Sequence, residues 1–315
     1  MTKILCIGEA LIDMLPRTAT SGEAAFAPYP GGAVFNTAIA LGRLGATVGF
    51  FSGLSNDLFG QLLREALEAS NVDASSAHVS DRPTTLAFVR LVDGHATYAF
   101  YDENTAGRML TEGDLPETHA DALFFGGISL VGEPCGSAYE ALMAREAPRR
   151  VIMVDPNIRP TFITDEPAFR ARLDRMLAMA DIVKLSDEDL RWLLGAVSIE
   201  EGARQVLAKG ARVVLITEGA KGAHGFMAGV EVFEPARKVA VVDTVGAGDT
   251  FNAGVLASLW RQGCLSKTGV ETLSEASLRH ALDLGAQAAA DSTAAVDGAD
   301  DLEGSVLCCG IAPGR

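Results

Sequence analysis

Basic residues are in short supply. The chain has 26 Lys and Arg against 41 Asp and Glu, a formal net charge of −15 over 315 residues. That balance argues against nucleic acid or an anionic membrane as the main partner, because both repel a negative field. An anionic small molecule stays open, since a local site can oppose the global field. Long apolar runs are missing too, and none approaches the roughly 20 residues of a membrane span. Met1-Thr2-Lys3-Ile4-Leu5-Cys6-Ile7-Gly8 is too short in its apolar part for a signal peptide and leads straight into a strand, so a cytoplasmic protein is expected. Cysteine is scarce and odd in number (Cys6, Cys135, Cys264, Cys308, Cys309), with no Cys-x-x-Cys spacing, which argues against a disulfide framework or a zinc site. The five histidines are scattered, and no metal cluster shows in the sequence. Gly-x-x-x-x-Gly-Lys-[Ser/Thr] is absent, which excludes a Walker-type P-loop. Internal repeats and low-complexity tracts are absent as well.

What the chain does have is apolar material, 48% of its residues, enough for a substantial core. It is organised around Asp243-Thr244-Val245-Gly246-Ala247-Gly248-Asp249-Thr250-Phe251-Asn252-Ala253-Gly254. The β-branched run Val239 to Val242 predicts a strand before it. Phe251, Val255 and Leu259 recur at i, i+4 and i+8, the buried stripe of a helix after it. Between them, Gly246-Ala247-Gly248 presents nothing larger than a methyl, so a ligand can approach the backbone N–H groups. A helix N-terminus carries unpaired donors and the positive end of its dipole, and this turn can hold an anion. An acid at Asp249 is then electrostatically expensive, unless it removes a proton from a group attacking that anion. A helix cap is the competing reading of the turn taken alone.

Upstream, Asp13 interrupts the apolar segment Leu11–Leu15 and needs partners if it is buried. Gly31-Gly32 opens a helix ending near Gly45, and Asn36 in its first turn either caps it or reads a ligand hydroxyl. Strand Thr47–Gly53 and helix Asp57–Ala69 continue a βα alternation. Then Thr84–Val92 and Ala96–Tyr101 flank Asp93-Gly94-His95, a hairpin signal with one aromatic face, Phe88, Tyr98 and Phe100. From Asp121 onward strands (122–126, 151–154, 182–185) alternate with helices (136–145, 167–180, others through Lys209), and Val213–Gly222 reads as another buried strand running into a Gly-rich turn. This implies an α/β fold, a mostly parallel sheet sandwiched by helices with ligands beyond the strand carboxyl ends. Two such ends are polar. Arg159, in Asp155-Pro156-Asn157-Ile158-Arg159, is either an anion contact or a surface residue. Lys184-Leu185-Ser186-Asp187-Glu188-Asp189 reads equally as an acidic helix start. A final helix spans about Glu275–Ala290.

The stretch Asp243–Phe251 resembles Asp-Thr-x-Gly-Ala-Gly-Asp-x-Phe, the C-terminal signature of ribokinase-like (PfkB) carbohydrate kinases. Gly31-Gly32-x-x-x-Asn36-x-Ala38 with Leu41-Gly42-Arg43-Leu44-Gly45 is similar to their N-terminal signature. The resemblance implies a ribokinase-like core over residues 1–10, 31–82 and 108–315, and a small β-sheet lid from 11–30 and the 83–107 hairpin. It implies ATP and Mg²⁺, Asp249 as general base, and the amides of Gly246, Ala247, Gly248 and Asp249 as the anion hole. Asp13, Gly31, Gly32, Asn36, Phe88, Tyr98, Phe100 and Arg159 would contact the sugar. Lys184, Ser186, Thr217, Gly219, Gly222, Gly246, Gly248 and Gln287 would lie on the nucleotide side. Relatives commonly carry Asn-x-x-Glu where this chain has Ser186 and Asp189, so Asp189 as a magnesium residue departs from the pattern. Asp243 and Val245 would hold a monovalent cation, K⁺. Tyr101-Asp102-Glu103-Asn104-Thr105-Ala106 looks like the same stretch in bacterial fructokinases and makes fructose the expected sugar. The rivals are 2-keto-3-deoxygluconate, with Arg90 or Arg108 facing its carboxylate, and a catalytically silent sugar- or nucleotide-sensing protein. A homodimer through the lid is expected by the same resemblance.

Overall fold

Strand Ile4–Ile7 lies between Val48–Phe51 on one side and Ala122–Gly126 on the other, parallel to both. Beyond Ala122–Gly126 the sheet continues through Val151–Asp155, Ile182–Ser186 and Val213–Thr217, still parallel. Gly222–Met227 and Val230–Pro235 close it as an antiparallel pair. These eight strands belong to a computed structural model that describes residues 3–92, 95–240 and 245–294, of which 90–92 and 95–97 are described by backbone only.

The continuous apolar runs are the signature of parallel strands covered on both faces. Because side chains alternate along a strand, the sheet divides the core in two. Ile4, Cys6, Phe124 and Met153 pack toward the helices Ala33–Arg43, Ala247–Arg261 and Glu275–Thr293. Leu5, Ile7, Phe125 and Val154 pack toward Cys135–Glu146, Glu166–Met179 and Ile199–Lys209. Phe251, Val255 and Leu259 form the buried stripe their spacing predicts, each 3% exposed or less.

A separate four-stranded sheet runs Ala24–Gly31, Leu11–Thr18, Leu86–Val92, His95–Tyr101. Its register corrects the expectation of one aromatic face. Asp13 pairs with Ala87, and Ala87 with Phe100, so Asp13, Phe100 and Tyr98 share a face. Phe88 is one residue out of phase and points the other way, against Phe26 at 5.0 Å and Tyr101 at 5.4 Å between ring centroids. A shift of one residue exchanges faces in a strand. Asp93 and Gly94, at the expected hairpin turn, lie outside the described residues.

Other expected boundaries move by a residue or two. The predicted strand at Val239–Val242 does not hold for its first two residues: Val239 and Ala240 belong to no strand, and Val241 and Val242 lie outside the described residues. Thr47–Gly53 resolves into Val48–Phe51 and a short strand Gly53–Ser55, which pairs with His78–Ser80 in a small sheet of its own. No helix among the described residues is long and apolar enough to cross a membrane.

Candidate active site

The six parallel strands 4–7, 48–51, 122–126, 151–155, 182–186 and 213–217 present their carboxyl ends along one edge of the sheet. The order reverses at Ile4–Ile7, which makes that edge the place where a crevice opens. Two helices begin there. Ala33–Arg43 starts after Gly32, whose φ of 108° is accessible to glycine and costly for other residues. Ala247–Arg261 starts after Gly246 in the left-handed region at φ 80°. Its first ladder bond runs from Thr250 N–H to Gly246 O at 2.9 Å. The amides of Ala247, Gly248 and Asp249 therefore precede the ladder and offer donors at the positive end of the dipole.

Asn36 and Asp249 meet at that edge. Asn36 Nδ2 donates to Asp249 Oδ2 at 2.9 Å, and Thr37 Oγ1 donates to the Asp249 carbonyl at 3.1 Å. Burial pushes the Asp249 carboxyl up to about 7, against the downward pull of the Asn36 hydrogen bond. A carboxyl poised near neutrality beside a row of amide donors can accept a proton from a hydroxyl as that hydroxyl attacks an anion.

Asp13 reaches the crevice from the small sheet. Half-buried, its carboxyl is also pushed up to about 7 by desolvation. A Cβ on Gly31 would stand 2.2 Å from Asp13 Oδ2, so the first glycine of the pair is what lets the two strands close around that carboxylate. Phe100 and Tyr98 share the face of Asp13, stacked at 5.9 Å, and Phe100 meets Phe162 of the 160–162 turn at 5.0 Å. Phe88 is on the outer face, away from the other expected sugar contacts.

Beneath the 247–261 helix lies a polar cluster that the sequence reading named only in part. Lys184 Nζ donates to Asp155 Oδ2 at 2.9 Å, and Asn252 Nδ2 donates to the same oxygen at 2.7 Å. All three are 4% exposed or less. A Cβ on Gly248 would come within 3.3 Å of Lys184 Nζ, so the ammonium lies directly behind the amide turn. Burial alone would lower the Lys184 pKa; Asp155, Asp189 and Asp249 outweigh it and raise it. The pattern Asp155-x-Asn157-x-Arg159 marked this strand end, yet the bond to Asn252 one turn beyond Asp249 had no signal in the sequence.

The remaining expectations scatter along the edge. Arg159 is exposed after Val151–Asp155, with Nη1 on the Ile158 carbonyl at 3.1 Å. Ser186 caps Asp187–Leu194 in a reciprocal capping box with Asp189. Asp189 accepts from Ser186 N–H at 3.0 Å, Ser186 Oγ at 2.8 Å and Ile158 N–H at 2.8 Å. That donor set fits a structural cap and does not fit a direct magnesium ligand. Thr217 ends Val213–Thr217, with Gly219 and Gly222 in the following turn at φ 53° and 138°. Gln287, on Glu275–Thr293, donates to Asp291 at 2.6 Å. Val245 is exposed beside the turn, and Asp243 lies outside the described residues.

Comparison with known proteins agrees in both sequence and fold. The model of the pfkB family carbohydrate kinases matches residues 1–302. The chain is 57% identical over 282 residues to the fructokinase of Rhizobium leguminosarum bv. trifolii, covering 89% of this chain and 86% of that one. It superposes on the Xylella fastidiosa fructokinase with bound ATP at a TM-score of 0.87 and 27% identity, covering 97% and 94% of the two chains. It superposes on a fructokinase double mutant from Vibrio cholerae O395, in its fructose, ADP and potassium ion bound form, at 0.82 and 25% identity, covering 98% and 95%. This chain belongs to the pfkB family of carbohydrate kinases.

Proposed function

We propose that this kinase transfers the γ-phosphoryl group of ATP to a hydroxymethyl group of fructose, giving fructose 6-phosphate, with Asp249 as general base. The observation that carries the mechanism is the Asn36–Asp249 contact at the start of the 247–261 helix. It sets a carboxyl with a pKa of about 7 beside the free amides of that helix. Asp249 takes the hydroxyl proton as its oxygen attacks the γ-phosphorus in line. The amides from Gly246 to Asp249 stabilise the charge on the transferring phosphoryl group, and exposed Arg159 adds a cation from the neighbouring strand end. Asp13 and Asn36 read sugar hydroxyls over Gly31 and Gly32. Tyr98 and Phe100 cover the apolar side of the sugar and keep out the water that competes for the phosphoryl group. The segment around Thr217, Gly219 and Gly222, with Gln287 on the facing helix, borders the nucleotide, and Lys184 and Ser186 lie between it and the anion hole.

Magnesium supplies charge neutralisation on the phosphates when bound. It holds most of its own waters and arrives on ATP, so it needs no cage of protein ligands. Asp189, with three hydrogen bonds already accepted, would at most orient a water on that metal. The K⁺ expected at Asp243 and Val245 enters no step, since Asp243 lies outside the described residues. Fructose is favoured over 2-keto-3-deoxygluconate by the 57% identity to a fructokinase; of the two arginines expected to face the rival's carboxylate, Arg90 is described by backbone only. Arg108 Nη1 donates to both oxygens of Asp102, at 3.1 and 3.0 Å, so its charge already has a partner. The outer face of the small sheet, with Phe26 and Tyr101 exposed around Phe88, is the surface we assign to a homodimer.

The test is a coupled ADP-release assay across fructose, 2-keto-3-deoxygluconate, ribose and adenosine. Fructose-dependent turnover that drops by roughly 10²–10⁴-fold in Asp249→Asn is expected. Turnover on another substrate would retain the mechanism and reject the sugar. Ligand binding without any turnover would favour a sensing protein.

A further inference from the structure

Glu9 follows the first strand, in a sequence position that advertised nothing more than the strand's end. Its side chain is 8% exposed and lies where three loops converge at the switch point of the sheet. Oε1 accepts the Ala33 N–H at 2.9 Å, the first residue of the helix that carries Asn36. Oε2 accepts the Ser129 N–H at 3.3 Å, in the turn after Ala122–Gly126. The helix start at Gly32 has no side-chain cap of its own, so Glu9 caps it from a distant part of the chain.

Two glycines make room for this carboxylate. A Cβ on Gly127 would fall 2.0 Å from Oε1, and one on Gly32 would fall 3.1 Å from Glu9 Cγ. Among the described residues no lysine, arginine or histidine forms an ion pair with Glu9. Burial raises its pKa, and the backbone donors work the other way. A charge taken out of water with amide donors as its compensation is costly unless its geometry is used.

We propose that Glu9 is the positioning residue of the sugar site. It clamps the diglycine turn to the strand-end loop at Ser129 and so sets Asn36 at its hydrogen-bonding distance from Asp249. The inference rests on the sugar-kinase reading above and deepens it. Loss of the clamp lets the turn and Asn36 drift, which affects the sugar and the base while leaving the nucleotide side, on the opposite half of the sheet, in place.

The experiment compares Glu9→Gln and Glu9→Ala with the parent enzyme in three readouts. Steady-state kinetics is expected to show the KM for fructose raised on the order of tenfold in Glu9→Ala, with kcat lowered and the KM for ATP within about twofold. Glu9→Gln keeps one acceptor for Ala33 but sets an amide donor against the Ser129 N–H, so it falls between the two. Hydrogen exchange of the ligand-free proteins is expected to quicken over residues 31–38 in both variants, and this readout needs no turnover. Thermal unfolding separates a merely structural role, which would lower Tm while leaving both KM values and the 31–38 exchange unchanged. That last outcome, or equal shifts of both KM values, overturns the proposal. If the parent enzyme fails to turn over fructose, the sugar assignment falls, while exchange over 31–38 still decides the clamp.

Discussion

Asn36 and Asp249 stand 213 residues apart in the chain and share a hydrogen bond of 2.9 Å at the meeting point of two helix N-termini. The amide holds one carboxylate oxygen in place. The other oxygen keeps its lone pairs free to take a proton.

Asp249 should govern both the rate and the pH dependence of stability. As a base it acts only when deprotonated, so kcat/KM is expected to fall about tenfold per pH unit below about 7. Its folded pKa lies above the ordinary carboxylate value of 3.8, so the native state binds more protons between pH 3.8 and about 7. Stability is therefore lost as pH rises through that window. Asp249→Asn removes this cost, and urea unfolding should find the variant more stable at pH 8, by at most about 4 kcal/mol, and equal to the parent below pH 4. A variant less stable than the parent at pH 8 would contradict the account.

The Lys184–Asp155 pair lies buried behind the Gly246–Gly248 turn. Lys184→Met leaves Asp155 buried and charged with only Asn252 and the Asn157 amide as donors. Breaking a buried pair from one side costs roughly 3–5 kcal/mol. Combining Lys184→Met with Asp155→Asn removes the stranded charge and should recover a good part of the loss. Denaturant midpoints of the parent, both single variants and the double variant measure the coupling. Additive effects would mean that the two groups do not act as a pair.

Phe100 and Phe88 sit on opposite faces of the small sheet and should part company on substitution. Phe100→Ala removes the ring that meets Phe162 and is expected to raise the KM for fructose several-fold, about the worth of an aromatic contact with its buried area. Phe88→Asp should leave that KM within about twofold and instead halve the mass seen by light scattering, because its ring faces the surface assigned to the homodimer. A rise in fructose KM with Phe88→Asp and none with Phe100→Ala would reverse the two faces.

Much of this architecture was legible in the sequence because local patterns encode it. The 3.6-residue spacing of Phe251, Val255 and Leu259, and the apolar runs of the parallel strands, report how each segment meets the core. The glycines at 31, 32, 246 and 248 report where a backbone must turn tightly or come close to another group. The strand hairpin at 222–235 was less legible, since an antiparallel edge depends on which partner is already paired.

From sequence alone come the two glycine turns, the acid at Asp249 and the alternating strands and helices, all properties of neighbours along the chain. Tertiary structure decided the rest. Asp249 is raised to about 7 because packing removes water from it, and desolvation depends on everything that folds around the carboxyl. Phe88 faces away from Asp13 because strand register fixes parity. Lys184, Asp155 and Asn252 become one cluster, and Glu9 a cap for a helix beginning at Ala33, because the sheet order brings distant strand ends to one edge.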